Sequence, residues 1–186
     1  METYDVVVLG GGSAGEMVAT TVARGGKSAA IVEERLLGGE CPYFACMPSK
    51  AMLHAAEIRR WIGNAHTAGA VSRPLDLDDG RLAYRAAAVR RHAIADHLDD
   101  AGHVRELRSL GVALHRGRGR VVGAGAVEID GRIIGWNDLV VSVGTVAEMP
   151  EIEGVDRASL WTSEDVYTTS ELPESALVLG GGPVGC

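Results

Sequence analysis

The chain has 186 residues, enough for one full hydrophobic core with some remainder. Its apolar fraction of 46% is ordinary for a globular protein, and a net charge of -7 argues against nucleic acid or an anionic membrane surface as partner. No apolar run is long enough to span a bilayer, and Met1-Glu2-Thr3-Tyr4 leads into a strand rather than a signal peptide, so a cytoplasmic protein without a membrane partner is expected.

Tyr4 to Leu9 is a near-continuous apolar run of strand length, the pattern of a parallel strand buried on both faces. Gly10, Gly12 and Gly15 follow in G-x-G-x-x-G spacing, with Ser13 and Ala14 between the last two; Glu16 to Arg24 reads as helix and Lys27 to Val32 as a second strand ending at Glu33. Such glycines permit a tight turn and a close approach of backbone to a pyrophosphate, whose charge meets the helix N-terminus. Glu33 stands where a carboxylate accepts hydrogen bonds from ribose hydroxyls and would repel a ribose phosphate. A glycine turn alone often only closes a strand–helix corner. Strand, glycines, helix, second strand and acid in this order predict a dinucleotide site for FAD or NAD rather than NADP.

Gly38 to Lys50, GGECPYFACMPSK, sets Cys41 and Cys46 five residues apart where a loop turns into a helix, predicted over Ala45 to Trp61 with an irregularity at Pro48. Pro42 suits a first helical turn, where its missing N–H costs nothing. Residues five apart on a regular helix project in different directions, so bridging these two requires a distorted first turn, and such strain makes a bridge easier to reduce. A helix N-terminus also stabilises a thiolate, the nucleophilic form, and a close pair in a reducing compartment favours catalysis over a structural bridge. The alternatives are two buried thiols or half of a zinc site. Zinc needs four ligands and only Cys186 remains, so no metal centre is expected. Lys50, one helical turn beyond Cys46, is one of only two lysines in an arginine-using chain.

Gly63 to Gly80 is rich in Gly, Asp and small residues and reads as a linker; His54 and His66 are not spaced with the cysteines as ligands would be. Leu82 to Leu110 carries Leu82, Val89, Ala93, Leu98, Val104 and Leu107 at helical spacing, with a break expected at Gly102 and a C-cap at Gly111. Its arginines alternate with acids, the pattern of a solvated face. From Val112 the period changes to two. Val112–His115, Arg120–Val122, Ala126–Ile129 and Arg132–Trp136 are predicted short strands, Asp130-Gly131 is a hairpin signal, and Asp138 to Val143 is a further buried strand. Pro150 to Pro173 connects to a predicted strand at Ala176–Leu179, after which Gly180, Gly182 and Gly185 repeat the G-x-G-x-x-G spacing.

Gly10 to Gly15, Glu33 and GGECPYFACMPSK together resemble the flavin-dependent pyridine nucleotide-disulfide oxidoreductases, the group of dihydrolipoamide dehydrogenase and mercuric reductase, and the resemblance runs over essentially the whole chain. It implies an α/β fold: a Rossmann-like FAD-binding domain with a parallel sheet and an inserted β-meander over residues 1–150, a connecting segment over 151–175, and the truncated start of an NAD(P)-binding Rossmann domain over 176–186. It further implies that Cys41 is the interchange thiol facing substrate, that Cys46 contacts the flavin and forms a redox disulfide with Cys41, and that Lys50 is a cation near the flavin N5 region. Gly10, Gly12, Ser13, Ala14, Gly15, Glu33, Gly39, Glu40, Lys50 and Gly144 are then FAD-binding positions. Gly144 is carried over because Ser142-Val143-Gly144-Thr145 resembles the family's Ala-Thr-Gly turn with both leading residues altered. Gly180, Gly182 and Gly185 open a site for NAD or NADP.

There are two departures from the family pattern. Glu40 replaces the usual Thr before the first cysteine, and Pro42-Tyr43-Phe44-Ala45 replaces Val-Asn-Val-Gly between the two. The Glu40 carboxylate either raises the Cys41 pKa by charge repulsion or simply faces solvent. The complete enzyme so implied acts on a small-molecule or protein-bound disulfide or dithiol as a homodimer, with its later FAD segment, dimerisation domain and acid–base histidine beyond residue 186. A non-catalytic FAD-binding module, and a related flavoenzyme reducing a metal ion or quinone, are the rival readings.

Overall fold

In the computed structural model, which describes residues 1–185, the apolar run after Thr3 becomes the central strand of a six-stranded sheet. β1 (Glu2–Leu9) lies between β2 (Ala29–Glu33) and β6 (Arg132–Val141), both parallel to it. The full order is β3-β2-β1-β6-β5-β4, in which β3 (Ala113–Arg116) is parallel to β2, while β4 (Gly119–Gly123) and β5 (Ala126–Ile129) form an antiparallel meander on β6. The α/β fold with its inserted meander is therefore present. Cys186, weighed above as a remaining ligand, lies outside the described residues.

The chain divides into two compact units, one of Met1–Pro42 with Leu98–Val146 and the other of Tyr43–His97 with Ala147 onward. In the first, β1 is apolar on both faces because each face has its own cover. Val6 and Val8 pack with Ala29, Ile31 and Leu37 beneath α1 (Ser13–Arg24) and Leu107 of α5 (Ala101–Ser109), whereas Val7 and Leu9 pack with Val32, Val127, Ile129 and Ile134 under the meander. Ile31, Val7, Val8 and Ile134 have no exposed surface. Burying each such side chain stabilises the fold by about 1.5–3 kcal/mol.

Turn chemistry fixes the register. Asp130 and Gly131 both take positive φ, 49° and 82°, as a two-residue turn matching the strand twist requires, and Ile129 pairs with Arg132 across it. Helix α5 ends in a Schellman motif: Gly111, at φ 77°, donates its N–H to Arg108 O, and Val112 donates to Leu107 O while both apolar side chains are buried.

The structure corrects three expectations here. Gly102 does not break the helix; it lies in the first turn of α5, and the break falls at Ala95–Asp100, where Asp96, His97 and Leu98 are consecutively left-handed. The buried carboxylate of Asp100 is drawn away to Leu37 N–H (2.7 Å) and Arg116, so the chain leaves the helix before it. Arg132–Trp136 and Asp138–Val143 are not two strands but one, β6 (ending at Val141), because β1 pairs with both halves in a single register. Ala176–Leu179 is not a strand: Leu177, Val178 and Leu179 are exposed and no strand pairs with them among the described residues.

In the second unit, α3 (Cys46–Asn64) packs against α4 (Gly80–Ile94), whose N-cap Asp79 accepts from Arg81 N–H at 2.8 Å. The segment after Ala147 contains a short helix, α6 (Ser163–Thr168), closed by a capping box between Thr162 and Asp165. Three α4 arginines hold this segment: Arg81 donates to Leu172 O, Arg85 pairs with Glu171, and the buried Arg91 donates to Val166 O in the last turn of α6. No helix among the described residues is long and apolar enough to cross a membrane.

Candidate dinucleotide cradle and cysteine segment

The cradle lies at the carboxyl ends of β1, β2 and β6. Gly10 turns the chain out of β1 at φ 96°, and Gly12 is the N-cap of α1, with no side chain capping that helix. Ser13 and Ala14, its first two residues, are exposed. The first-turn N–H groups of α1 are therefore left for an anionic group, and the helix dipole favours one.

Gly10, Gly11 and Gly15 are each required by a different contact. A Cβ on Gly10 would lie 2.3 Å from Ser142 O, and one on Gly11 would lie 2.4 Å from Leu37 Cδ2. On Gly15 it would lie 1.9 Å from Gly10 O. Gly12 is unlike these, since the nearest atom to its would-be Cβ is Gly39 Cα at 3.7 Å. Its missing side chain opens space in front of α1.

A second loop lies alongside. Gly38 donates its N–H to Gly11 O at 2.8 Å and forms an isolated parallel bridge with Gly12. Gly38 and Gly39 have φ of 97° and 71°, and a Cβ on Gly39 would lie 2.8 Å from Gly12 Cα. Two glycine-lined backbones thus run side by side, an arrangement that suits a ligand needing close backbone approach. Glu33, at the end of β2, accepts Gly11 N–H through Oε2 at 2.7 Å and Arg35 N–H through Oε1 at 2.6 Å. Each oxygen retains acceptor capacity for a ribose hydroxyl.

Gly10, Gly12, Ser13, Ala14, Gly15, Glu33 and Gly39 are brought together, and Gly144 follows β6 in the same unit at φ 69°. Glu40 opens α2 (Glu40–Tyr43) and is exposed, the solvent-facing alternative. Cys41 is half-buried in that turn. Ala45, at φ −135° and ψ −96°, is non-helical, so Cys46 begins a separate helix, α3. Pro48 causes no irregularity, because it falls in the first turn of α3, where its N–H is not required. Cys46 is a free, exposed thiol, and Ser49 Oγ donates to its carbonyl at 3.1 Å. Cys46 and the exposed Lys50 belong to the second unit. No metal-holding cluster occurs among the described residues.

Sequence reasoning missed the supports of the cradle. Ser142 Oγ lies 2.9 Å from Gly10 O and 3.1 Å from Leu9 O. Asp100 anchors Leu37, just before Gly38. His103 Nδ1 stands 2.9 and 3.1 Å from the two carboxylate oxygens of Glu16, and its ring abuts Gly38. Burial pushes the Glu16 carboxyl up, opposed by His103, with Glu106 and Asp100 pushing the same way as burial. Of these, the sequence singles out only Ser142, as an altered residue of the Ser142–Thr145 turn and not as a support.

The second glycine motif repeats the first. Gly180 has φ 106°, and a Cβ on Gly185 would lie 2.0 Å from Gly180 O. The turn is formed although no regular strand precedes it.

Residues 4–186 match the profile of the family described as pyridine nucleotide-disulphide oxidoreductase. The chain belongs to that family. FAD and a pyridine nucleotide are its cofactors, and the glycine-lined backbones and open N-terminus of α1 fit an adenine dinucleotide. Among curated relatives, a dihydrolipoyl dehydrogenase of Bacillus subtilis is 32% identical over 98% of this chain and 40% of its own length. A mercuric reductase of Staphylococcus aureus is 25% identical over 96% of this chain and 32% of its own. Among solved structures, the HOCl-induced flavoprotein disulfide reductase RclA from Escherichia coli superposes with a TM-score of 0.79 at 22% identity, over 98% of this chain and 38% of that one, a likeness of fold. The chain spans about 40% of the length of the dihydrolipoyl dehydrogenase it matches.

Proposed function

We propose that the protein is an FAD-dependent oxidoreductase that takes electrons from NADH or NADPH and delivers them through Cys41 and Cys46 to a disulfide substrate, reversibly, as a dihydrolipoamide dehydrogenase does. The observation that carries this reading is the paired-glycine cradle, with Gly12 and Gly39 leaving backbone open before α1 and Glu33 bonded to Gly11 N–H beside it. FAD, when bound, supplies two-electron chemistry between the nicotinamide and the thiols.

The chain's own residues then act in order. Gly10, Gly12, Ser13, Ala14 and Gly15 hold the pyrophosphate, and Glu33 holds the ribose. Gly39, Glu40 and Gly144 line the site further along, and Lys50 supplies a cation on the cysteine side. The Cys41 thiolate attacks one sulfur of the substrate disulfide, which forms a mixed disulfide and releases the first substrate thiol. The Cys46 sulfur next attacks that of Cys41, releasing the second thiol and leaving the Cys41–Cys46 bridge, which two electrons and two protons reopen. Gly180, Gly182 and Gly185 begin the pyridine nucleotide site. The complete protein works as a homodimer in the cytoplasm, where the dithiol form persists.

The test is the absorption spectrum of FAD-loaded protein after one equivalent of dithiol. Long-wavelength absorption that Cys46→Ser removes is the expected result; its retention in Cys46→Ser would sink the assignment.

A further inference from the structure

The peptide unit joining Gly10 to Gly11 is gripped from both sides. Its carbonyl oxygen faces Ser142 Oγ at 2.9 Å, and its N–H donates to Glu33 Oε2 at 2.7 Å. Ser142 directly follows β6 and Glu33 closes β2, the two strands flanking β1, so each neighbour contributes one side chain to the peptide at the exit of the central strand. The hydroxyl donates to Gly10 O, the nearer of two carbonyls within its reach, the other being Leu9 O at 3.1 Å. Ser142 is itself fixed, since its N–H donates to Leu9 O at 2.8 Å. Its side chain also touches the third glycine, because a Cβ on Gly15 would lie 2.8 Å from Ser142 Oγ.

We propose that Ser142 is a positioning residue for the dinucleotide: with Glu33 it locks the Gly10–Gly11 peptide plane, so that the N–H groups before α1 and the Glu33 carboxylate are aimed at the ligand before it arrives. A peptide held at one end only can rotate, carrying Gly11 N–H away from Glu33 and releasing that carboxylate from its ribose-facing position. Preorganisation of this kind raises affinity by removing the ordering cost from binding. The inference rests on the reading of the cradle as an adenine dinucleotide site.

The experiment compares wild type, Ser142→Ala and Ser142→Thr, the last keeping a hydroxyl. Amide hydrogen exchange at Gly11, followed by NMR against the core amides of Val7 and Val8, reads the clamp without any ligand. Titration with FAD reads its consequence. Ser142→Ala is expected to speed Gly11 exchange and weaken FAD by about tenfold, the size of one lost hydrogen bond, with Val7 and Val8 unchanged and Ser142→Thr restoring both. Unchanged Gly11 exchange in Ser142→Ala overturns the clamp. Faster exchange with unchanged FAD affinity overturns the positioning role. Wild type that binds no FAD counts against the dinucleotide reading itself, and the Gly11 exchange then judges the clamp separately.

Discussion

The α-carbon of Gly15 rests against the carbonyl oxygen of Gly10, so closely that a methyl group added there would lie 1.9 Å from that oxygen. Helix α1 can start this near to β1 only because position 15 has no side chain. Gly15→Ala must therefore push α1 away from the sheet, at a cost of about 1–3 kcal/mol, the range for overpacking a tight contact. A fall in the urea midpoint, with loss of FAD binding, is the expected outcome.

Gly12 answers differently. Its would-be Cβ meets nothing closer than 3.7 Å, and its φ of −76° is open to any residue. Gly12→Ala should fold with wild-type stability and yet lose FAD, because the methyl fills the space the ligand backbone needs. Circular dichroism melting beside an FAD titration separates the two glycines.

Asp100 links the cradle to the core, accepting Leu37 N–H and pairing with Arg116. Asp100→Ala strips both partners of a buried acceptor and should cost about 2–3 kcal/mol in urea unfolding. The contrast is Glu128→Ala, which removes a solvent-screened pair with Arg120 and should lower the urea midpoint much less. Equal losses would show that Asp100 has no special place under the loop.

Burial, followed by its hydrogen bond to Glu2, pushes the Tyr4 phenol up to about 12 from its usual 10. The folded state thus holds this proton more tightly than the unfolded chain. Its contribution to stability is complete below about pH 10 and is lost as pH rises through about 12. Tyr4→Phe should lower the urea midpoint at pH 9 and flatten its decline between pH 10 and 12. Phenolate absorbance should show a late titration that Tyr4→Phe removes.

The sequence made β1, the glycine turn, α1 and the meander readable because each rests on a local signal: an unbroken apolar run, glycines where φ must be positive, a period of two, and Asp130-Gly131 at a tight turn. What escaped it is non-local. Ser142 reaches Gly10 across 132 residues and Asp100 reaches Leu37 across 63, so neither spacing carries a pattern. The helix break was misplaced for the same reason, since glycine at 102 is the local signal while the carboxylate of Asp100 answers to a distant N–H. Ala176–Leu179 has strand composition, but a parallel strand forms only against a neighbour, and the sequence of the strand does not reveal whether one is there. The second glycine turn forms nonetheless, with Gly180 left-handed, Gly185 N–H bonded to Gly182 O, and no side chain on Gly185 to strike Gly180 O.

The central claim is that the paired-glycine cradle holds an adenine dinucleotide, and the most direct measurement is an equilibrium titration of the chain with FAD, followed by flavin fluorescence, with and without ADP. The account predicts saturable one-to-one binding that ADP displaces and that Gly12→Ala removes. FAD that fails to bind, or that binds equally well with ADP present and with Gly12 replaced, would contradict it.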